Sequence, residues 1–129
     1  MKKKRIYIPI IIVIFIFSII IIEMMNPLRK SEEKLTEDIL MLTPMGTSME
    51  DVIDVIESHK KWEWDGYIAP YGICRSSFTI KLDSSQSIKV MLGSYRKPFP
   101  FVTGVFAEWG FDENSRLTDI WVYKEEFLI

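Results

Sequence analysis

The sequence predicts an α+β protein: an N-terminal transmembrane helix followed by two short helices packed on a small antiparallel β-sheet. Three observations predict it: an uncharged apolar run near the N-terminus, two segments with helical apolar spacing, and later segments in which apolar and polar residues alternate. Turn signals join the alternating segments as successive hairpins, so neighbouring strands should pair antiparallel. The helices precede the strands and must cover one sheet face to bury the apolar residues of both layers.

The N-terminal apolar run extends from Ile6 to Ile22 and follows four consecutive basic residues. Its seventeen residues span about 25 Å as a helix, near the lower limit for a hydrocarbon core of about 30 Å. Because the basic residues precede the run, the positive-inside rule predicts a cytoplasmic N-terminus and a single-pass protein of the cell membrane. The predicted divisions are a basic flank (1–5), a transmembrane anchor (6–25), a linker (26–34) and an extracytoplasmic α+β domain (35–129).

A cleaved signal peptide is the alternative interpretation of this run. It shares the basic start, but the run ends at Ile22 and Glu23 without the small residues of a cleavage site. No cysteine follows directly, which excludes a lipid-modified N-terminus. The sequence therefore favours an uncleaved anchor.

Two amphipathic helices are predicted after the anchor. Ser31 can cap the first, which ends before Pro44. Thr47 and Glu50 have the spacing of a capping box for the second, predicted over residues 48–59. Its apolar positions recur at i, i+3, i+4 and i+7 and form one stripe: Met49, Val52, Ile53 and Ile56.

The apolar period changes from helical to alternating after the second helix. The predicted strands are residues 62–64, 77–82, 88–92, 102–111 and 116–124. The predicted turns and loops between the later strands are residues 83–86, 93–100 and 112–115.

The charge of the chain is divided unequally. The whole sequence has a net charge of −2, but residues 31–129 hold ten Lys or Arg against seventeen Asp or Glu, a net charge of −7. An acidic domain argues against binding to nucleic acid and against electrostatic docking to anionic lipid. It is compatible with a basic partner, with bound cations or simply with solubility.

The sequence contains little that indicates chemistry at a site. Cys74 is the only cysteine, which excludes an intramolecular disulfide and a multi-cysteine zinc site, and leaves a half-buried apolar role or a disulfide-linked dimer. His59 is also alone, which disfavours metal binding. The second predicted helix (48–59) carries a cluster of acidic residues that is typical of a solvated face: Glu50, Asp51, Asp54 and Glu57.

Motifs of the common enzyme classes are absent from the sequence. A Ser/His/Asp triad would have to use the single histidine, His59, and would be a chance combination. We therefore expect neither a catalytic residue, nor a cofactor, nor a metal site, and we expect that the protein is not an enzyme.

Aromatic residues are the one candidate for a binding surface. Residues 62–71 and the segment 95–101 carry more of them than turns require. Either they fill the core or they form an exposed patch that binds a partner. The candidate partner-binding residues are Trp62, Trp64, Tyr67, Tyr95, Phe99 and Phe101.

Short stretches resemble a known family. Residues 46–52, Gly-Thr-Ser-Met-Glu-Asp-Val, resemble the G-x-[ST]-x-[ED]-[ED]-V helix opening of the SmpA/OmlA-type outer-membrane assembly lipoproteins, and the strand pair 105–111 and 117–120 resembles theirs. Those domains are similar to the β-lactamase-inhibitor-protein repeat, two helices on a small antiparallel sheet. The lipoprotein cysteine and the Leu-Gly-x-Pro after the helix are missing here, so the resemblance implies the architecture and no binding residues.

The function expected from these observations is that of a membrane-anchored envelope protein, not an enzyme, whose acidic domain binds another, unknown envelope protein. The alternative is an inhibitor or immunity-type protein that blocks a basic toxin or an envelope enzyme. The anchor, the acidic domain and the absence of catalytic motifs motivate the first function, and the aromatic loop beside an acidic surface motivates the alternative.

Overall fold

The fold follows the predicted α+β plan. A computed structural model describes residues 2–73 and 84–129, and within these ranges three α-helices and a three-stranded antiparallel sheet of order β1-β2-β3 are present. The elements are α1 (Lys2–Met24), a 3₁₀ helix (Pro27–Arg29), α2 (Glu32–Leu42), α3 (Met49–Ser58), β1 (Gln86–Arg96), β2 (Phe101–Phe111) and β3 (Leu117–Leu128). The predicted strand at 77–82 and Cys74 lie outside the described residues.

Helix α1 is long and apolar enough to cross a membrane from Tyr7 to Met24, and this stretch is not buried against the rest of the protein. Its apolar side chains are exposed all around the helix; Phe15 is 66% exposed. A membrane anchor and a signal sequence both have these properties.

Serine side chains begin both of the shorter helices. Ser31 Oγ accepts a hydrogen bond from the Lys34 N–H (3.3 Å), as the sequence predicts. The predicted capping box of Thr47 is wrong by one residue, because Ser48 Oγ caps α3 at the Asp51 N–H (3.3 Å). The backbone of Thr47 is instead hydrogen-bonded to Leu117 of β3, which delays the start of the helix.

Two strands are longer than predicted. β1 continues past residue 92 to Arg96, where the sequence predicts a loop, because a bulge between Met91 and Gly93 keeps it paired with β2. Gly93 has φ +142°, a backbone conformation that side chains rarely adopt. β3 continues to Leu128 because β2 offers it partners down to Phe101.

The predicted strand at residues 62–64 is wrong. Glu63 forms a single antiparallel bridge to Met91 at the free edge of β1, and Ala69 forms another to Ser87. Residues between these bridges follow the edge of the sheet without extended pairing. Trp62 and Trp64 nevertheless pack against the core, as one of the two sequence interpretations expected.

The core lies between α2, α3 and one face of the sheet. Alternate residues of the strands point into it, so Val90, Ala107 and Val122 are neighbours across all three strands. The helices contribute the buried side chains Leu35, Ile39, Val52 and Ile56. This face is called the inner face below.

A buried hydrogen bond joins α2 to the sheet. The indole N–H of Trp109 on β2, a fully buried side chain, donates to Thr43 Oγ1 at 3.0 Å. Thr43, at the end of α2, is itself fully buried and donates its hydroxyl to the Ile39 carbonyl at 2.9 Å. The Thr43 hydroxyl therefore accepts the hydrogen bond of the buried indole and donates one to the last turn of α2.

We predict that Thr43→Val lowers the free energy of unfolding by about 1–3 kcal/mol, because the variant leaves the buried Trp109 N–H without its acceptor. Thr36→Val is the matched control. The Thr36 hydroxyl donates to the Glu32 carbonyl one turn back in the same helix, so the control should change stability by less than about 0.5 kcal/mol. Denaturant unfolding of the full-length protein in detergent measures both; equal effects would contradict the role of the indole bond.

Candidate functional site

Aromatic side chains form a cluster on the outer face of the sheet, opposite the described helices. The cluster consists of Phe106 on β2 and of Trp121, Tyr123 and Phe127 on β3, and is called the outer aromatic cluster. The ring centroids are 5.5 Å apart for Phe106 and Tyr123, 4.2 Å for Trp121 and Tyr123, and 6.3 Å for Phe106 and Phe127. The four rings are therefore continuous.

The register of β2 and β3 brings these rings together. Phe106 lies directly opposite Tyr123, and Trp121 and Phe127 are each two residues or more away on the same face. Gly104 makes room for them: a Cβ at this position would lie 2.8 Å from Phe127 Cε2 and 3.1 Å from Phe106 Cε2. The absence of a side chain at Gly104 thus lets the rings lie against the sheet.

A lysine lies over the cluster. Lys89 Nζ is 5.0 Å from the ring centroid of Phe106 and 5.6 Å from that of Tyr123, within the range of cation–π attraction. A hydrogen bond with the Tyr123 side chain, helped by nearby negative charge, raises the pKa of Lys89 despite its partial burial. Burial raises the pKa of Tyr123. The ammonium group therefore stays charged on this face.

Glu108 faces Lys89 across the β1–β2 pair. Burial raises the pKa of Glu108 above its ordinary value, and this effect outweighs the attraction of Lys89, while Glu125 raises the pKa further. The outer face thus combines aromatic rings, one cation and carboxylates that are partly withdrawn from water. Tyrosine, tryptophan and phenylalanine are enriched at protein interfaces, whereas lysine and glutamate are more common at their polar rim.

A groove continues the outer face across the edge of β1. It has a volume of about 580 Å³ and lies between residues 62–65 and the sheet. Its walls include Trp62, Trp64 and Phe106, with Lys89 at its floor beside Met91. Two backbone hydrogen bonds between Glu63 and Met91, of 2.9 and 3.0 Å, hold the outer wall in place.

Three of the sequence-predicted residues lie together at this groove or beside it. Trp62 is half-buried, stacks on His59 with centroids 4.0 Å apart and lies against Trp109. Trp64 is half-buried and donates its indole N–H to the Tyr67 carbonyl at 3.2 Å. Tyr67 is exposed and lines a smaller adjacent hollow.

The other three predicted residues lie elsewhere. Tyr95 is only 7% exposed, under the Arg29 guanidinium (4.8 Å to the ring centroid) and under Lys124, so it does not reach the surface. Phe99 and Phe101 are exposed at the end of the sheet, about 20 Å from its middle at the rise of a strand. The six residues therefore do not form one patch.

The outer aromatic cluster is absent from the candidate residues that the sequence predicts. Its signal is present in β3, where Trp121, Tyr123 and Phe127 share one parity and Ile120 and Val122 share the other. Because successive side chains of a strand point to opposite faces, this alternation assigns the three rings to a second face of the sheet.

Two further observations concern the residues that could bind a metal ion. In the described part of the chain, no group of three or more His, Cys, Asp or Glu side chains is placed to hold a metal ion. His59 Nδ1 is 2.7 Å from the Val55 carbonyl and 3.2 Å from Ser58 Oγ, within its own helix end.

No protein-family model, curated protein or solved structure matches this chain. The resemblance of residues 46–52 to the SmpA/OmlA-type lipoproteins therefore stays a prediction.

We predict that Glu108→Gln raises stability relative to the natural protein at neutral pH and that the difference disappears in acid. The folded state holds the proton of the Glu108 carboxyl more tightly than the unfolded chain does. The contribution of Glu108 to the free energy of unfolding therefore falls as pH rises above its ordinary pKa of 4.5. The variant has no such carboxyl. Partial exposure limits the effect to less than about 1 kcal/mol.

Unfolding measured by tryptophan fluorescence between pH 4 and pH 7 tests this expectation. Glu113→Gln, in the exposed turn after β2, is the matched control and should follow the natural protein. A stability difference between Glu108→Gln and the natural protein that stays constant from pH 4 to pH 7 would contradict the burial argument.

Proposed function

We propose that this protein is a single-pass, membrane-anchored envelope protein, not an enzyme, whose acidic extracytoplasmic domain binds another protein. The observation that carries the proposal is the outer aromatic cluster with its adjoining groove. Tryptophan and tyrosine at the centre of a surface, ringed by polar groups, are the residues that supply most binding energy in protein interfaces. None of the described helices covers this face.

The contacts at the end of α1 support an anchor that is retained. Glu23 Oε1 accepts a hydrogen bond from the Arg96 N–H at 2.9 Å and forms an ion pair with Arg29 at 3.5 Å. Removal of the apolar segment as a signal peptide near this point would take these contacts from the domain. The basic flank before the run supports a cytoplasmic N-terminus.

Orientation is tested with protease added to intact cells that make a C-terminally tagged protein. We expect the tagged domain to be digested while a cytoplasmic marker protein survives. A tag that is protected in intact cells and lost only after lysis would show the opposite orientation and contradict the proposal.

Charge indicates the kind of partner. Glu63 and Asp65 line the groove, Glu108 faces Lys89 and Glu125 acts on both Lys89 and Tyr123. With a net charge of −7 over residues 31–129, this surface favours a partner with basic side chains. A basic toxin or envelope enzyme, blocked by an inhibitor or immunity-type protein, is the second candidate that the same charges favour.

We predict that Trp121→Ser abolishes partner capture without unfolding the domain. The full-length tagged protein is crosslinked in membranes, and mass spectrometry identifies what is captured. Loss of a central interface tryptophan costs about 2 kcal/mol or more, which is roughly a thirty-fold loss of affinity. A basic partner should also bind more weakly as salt increases.

Met41→Ser is the matched control, because Met41 is 82% exposed on α2 and lies away from the outer face. Circular dichroism confirms folding of both variants. If the natural protein captures no reproducible partner, the proposal fails. If Trp121→Ser captures the partner as well as Met41→Ser does, binding takes place on another surface.

A further inference from the structure

One end of the sheet carries a cluster of exposed apolar side chains. Phe99 is 86% exposed, Leu128 72% and Ile129 75%, and Phe101 is also exposed. The two segments are held together, since Phe101 pairs with Leu128 and the Ile129 N–H donates to the Pro100 carbonyl at 2.9 Å. These four residues are called the apolar tip. An apolar cluster of this kind normally indicates a surface that something covers.

The contacts after α1 determine where the apolar tip lies. Leu28 lies against Gly93, with its Cδ1 2.8 Å from the position of a Cβ there. The Asn26 side-chain amide donates to the Ser94 carbonyl (3.5 Å). Glu23 accepts from the Arg96 N–H (2.9 Å).

These three contacts occur in opposite order along the two segments. The chain rises out of the apolar helix from residue 23 to residue 28, while β1 passes the same contacts from residue 96 back to residue 93. β1 therefore runs toward the apolar helix, and the turn after Arg96 continues in that direction beyond Glu23.

The level of the apolar tip follows from the covalent geometry. Glu23 is the first charged residue after the apolar run, so it marks the edge of the hydrocarbon when α1 spans a membrane. Phe99 is three residues beyond Arg96, which places it within about 11 Å of that Cα. Arg96 lies at the level of Glu23, to which it is hydrogen-bonded (2.9 Å), so a turn that continues toward the membrane places Phe99 at the boundary between headgroups and hydrocarbon.

The backbone of the tip suits a lipid environment. Pro98 and Pro100 have no N–H to satisfy. The Lys97 N–H donates to the Phe101 carbonyl (3.1 Å) and the Phe101 N–H donates to the Pro98 carbonyl (3.2 Å). The tip therefore has few backbone N–H groups that would lose hydrogen bonds to water when it enters the membrane surface.

The same end of the domain carries basic groups. A cleft of about 980 Å³ separates the end of α1 from the domain, with apolar Ile22 and Met25 on one side and Lys60 and Lys61 on the other. Lysine stems can follow the apolar surface while their ammonium groups reach phosphates. Lipids at the membrane surface offer both an apolar chain and a phosphate, and so match the apolar side of the cleft and its lysines.

We propose that the apolar tip enters the membrane surface beside α1, so that the lipid bilayer covers it and the domain is held by two membrane contacts. The inference rests on the proposed function, since it requires that α1 is a retained anchor. Phe99 then lies among lipids, and the Trp109 end of the sheet lies farthest from the membrane.

Photocrosslinking of the full-length protein tests this inference. A benzoylphenylalanine is incorporated at Phe99, and the protein is reconstituted in vesicles of equal parts phosphatidylcholine and phosphatidylglycerol. Mass spectrometry then measures lipid adducts after irradiation. The same probe at Tyr7 reports on α1. At Met41 it provides the matched control, because Met41 is 82% exposed and lies near the end of α2 that contacts Trp109 through Thr43.

We expect adducts at Phe99 at a level close to that at Tyr7 and at least ten-fold above that at Met41. Adducts at Tyr7 without adducts at Phe99 or, in a second variant, at Leu128 would overturn the inference and leave the anchor intact. The absence of adducts at all positions would overturn the anchor itself. Equal adducts at Phe99 and Met41 would also overturn the inference, because the tip would then have no preferred place in the membrane.

Discussion

The arrangement of this protein depends on how one guanidinium group holds the chain where it leaves α1. Arg29 Nε donates to the Glu23 carbonyl at 2.7 Å, and Arg29 Nη2 donates to the Arg96 carbonyl at 2.6 Å. The same group lies 4.8 Å above the ring of Tyr95. Arginine can satisfy all of these contacts because its planar fork of donors also has an apolar face. The segment between helix and domain is therefore held against β1 at these points.

The small sheet presents three separate surfaces, and the attachment to α1 accounts for one of them. Its inner face buries the helices, its outer face displays the aromatic cluster, and one of its ends lies beside α1. The first two follow from the alternation of side chains along a strand, which lets neighbouring residues serve opposite faces. The third depends on hydrogen bonds between residues 67 to 73 positions apart, such as that between Glu23 and Arg96.

The fold was largely predictable because its signals are local. Helical spacing from Met49 to Ile56, alternation in β2 and the turn after Phe111 each report on residues within a few positions of one another, and the structure confirms all three. The predictions are wrong where the structure depends on residues that are far apart in the sequence. β1 extends to Arg96 because β2 pairs with it, and residues 62–64 form a single bridge, between Glu63 and Met91, in place of a strand.

The apolar run, its basic flank, the acidic charge of residues 31–129 and the helix-then-strand order can all be recognised from the sequence, because composition and periodicity are properties of neighbouring residues. Which aromatic residues are exposed depends on tertiary contacts. These contacts bury Tyr95 beneath Arg29 and Lys124, leave Phe99 in the open, and join Phe106 to Tyr123 on the outer face. Burial depends on strand register and on what packs above each ring, and neither is encoded in the residue type of an aromatic side chain.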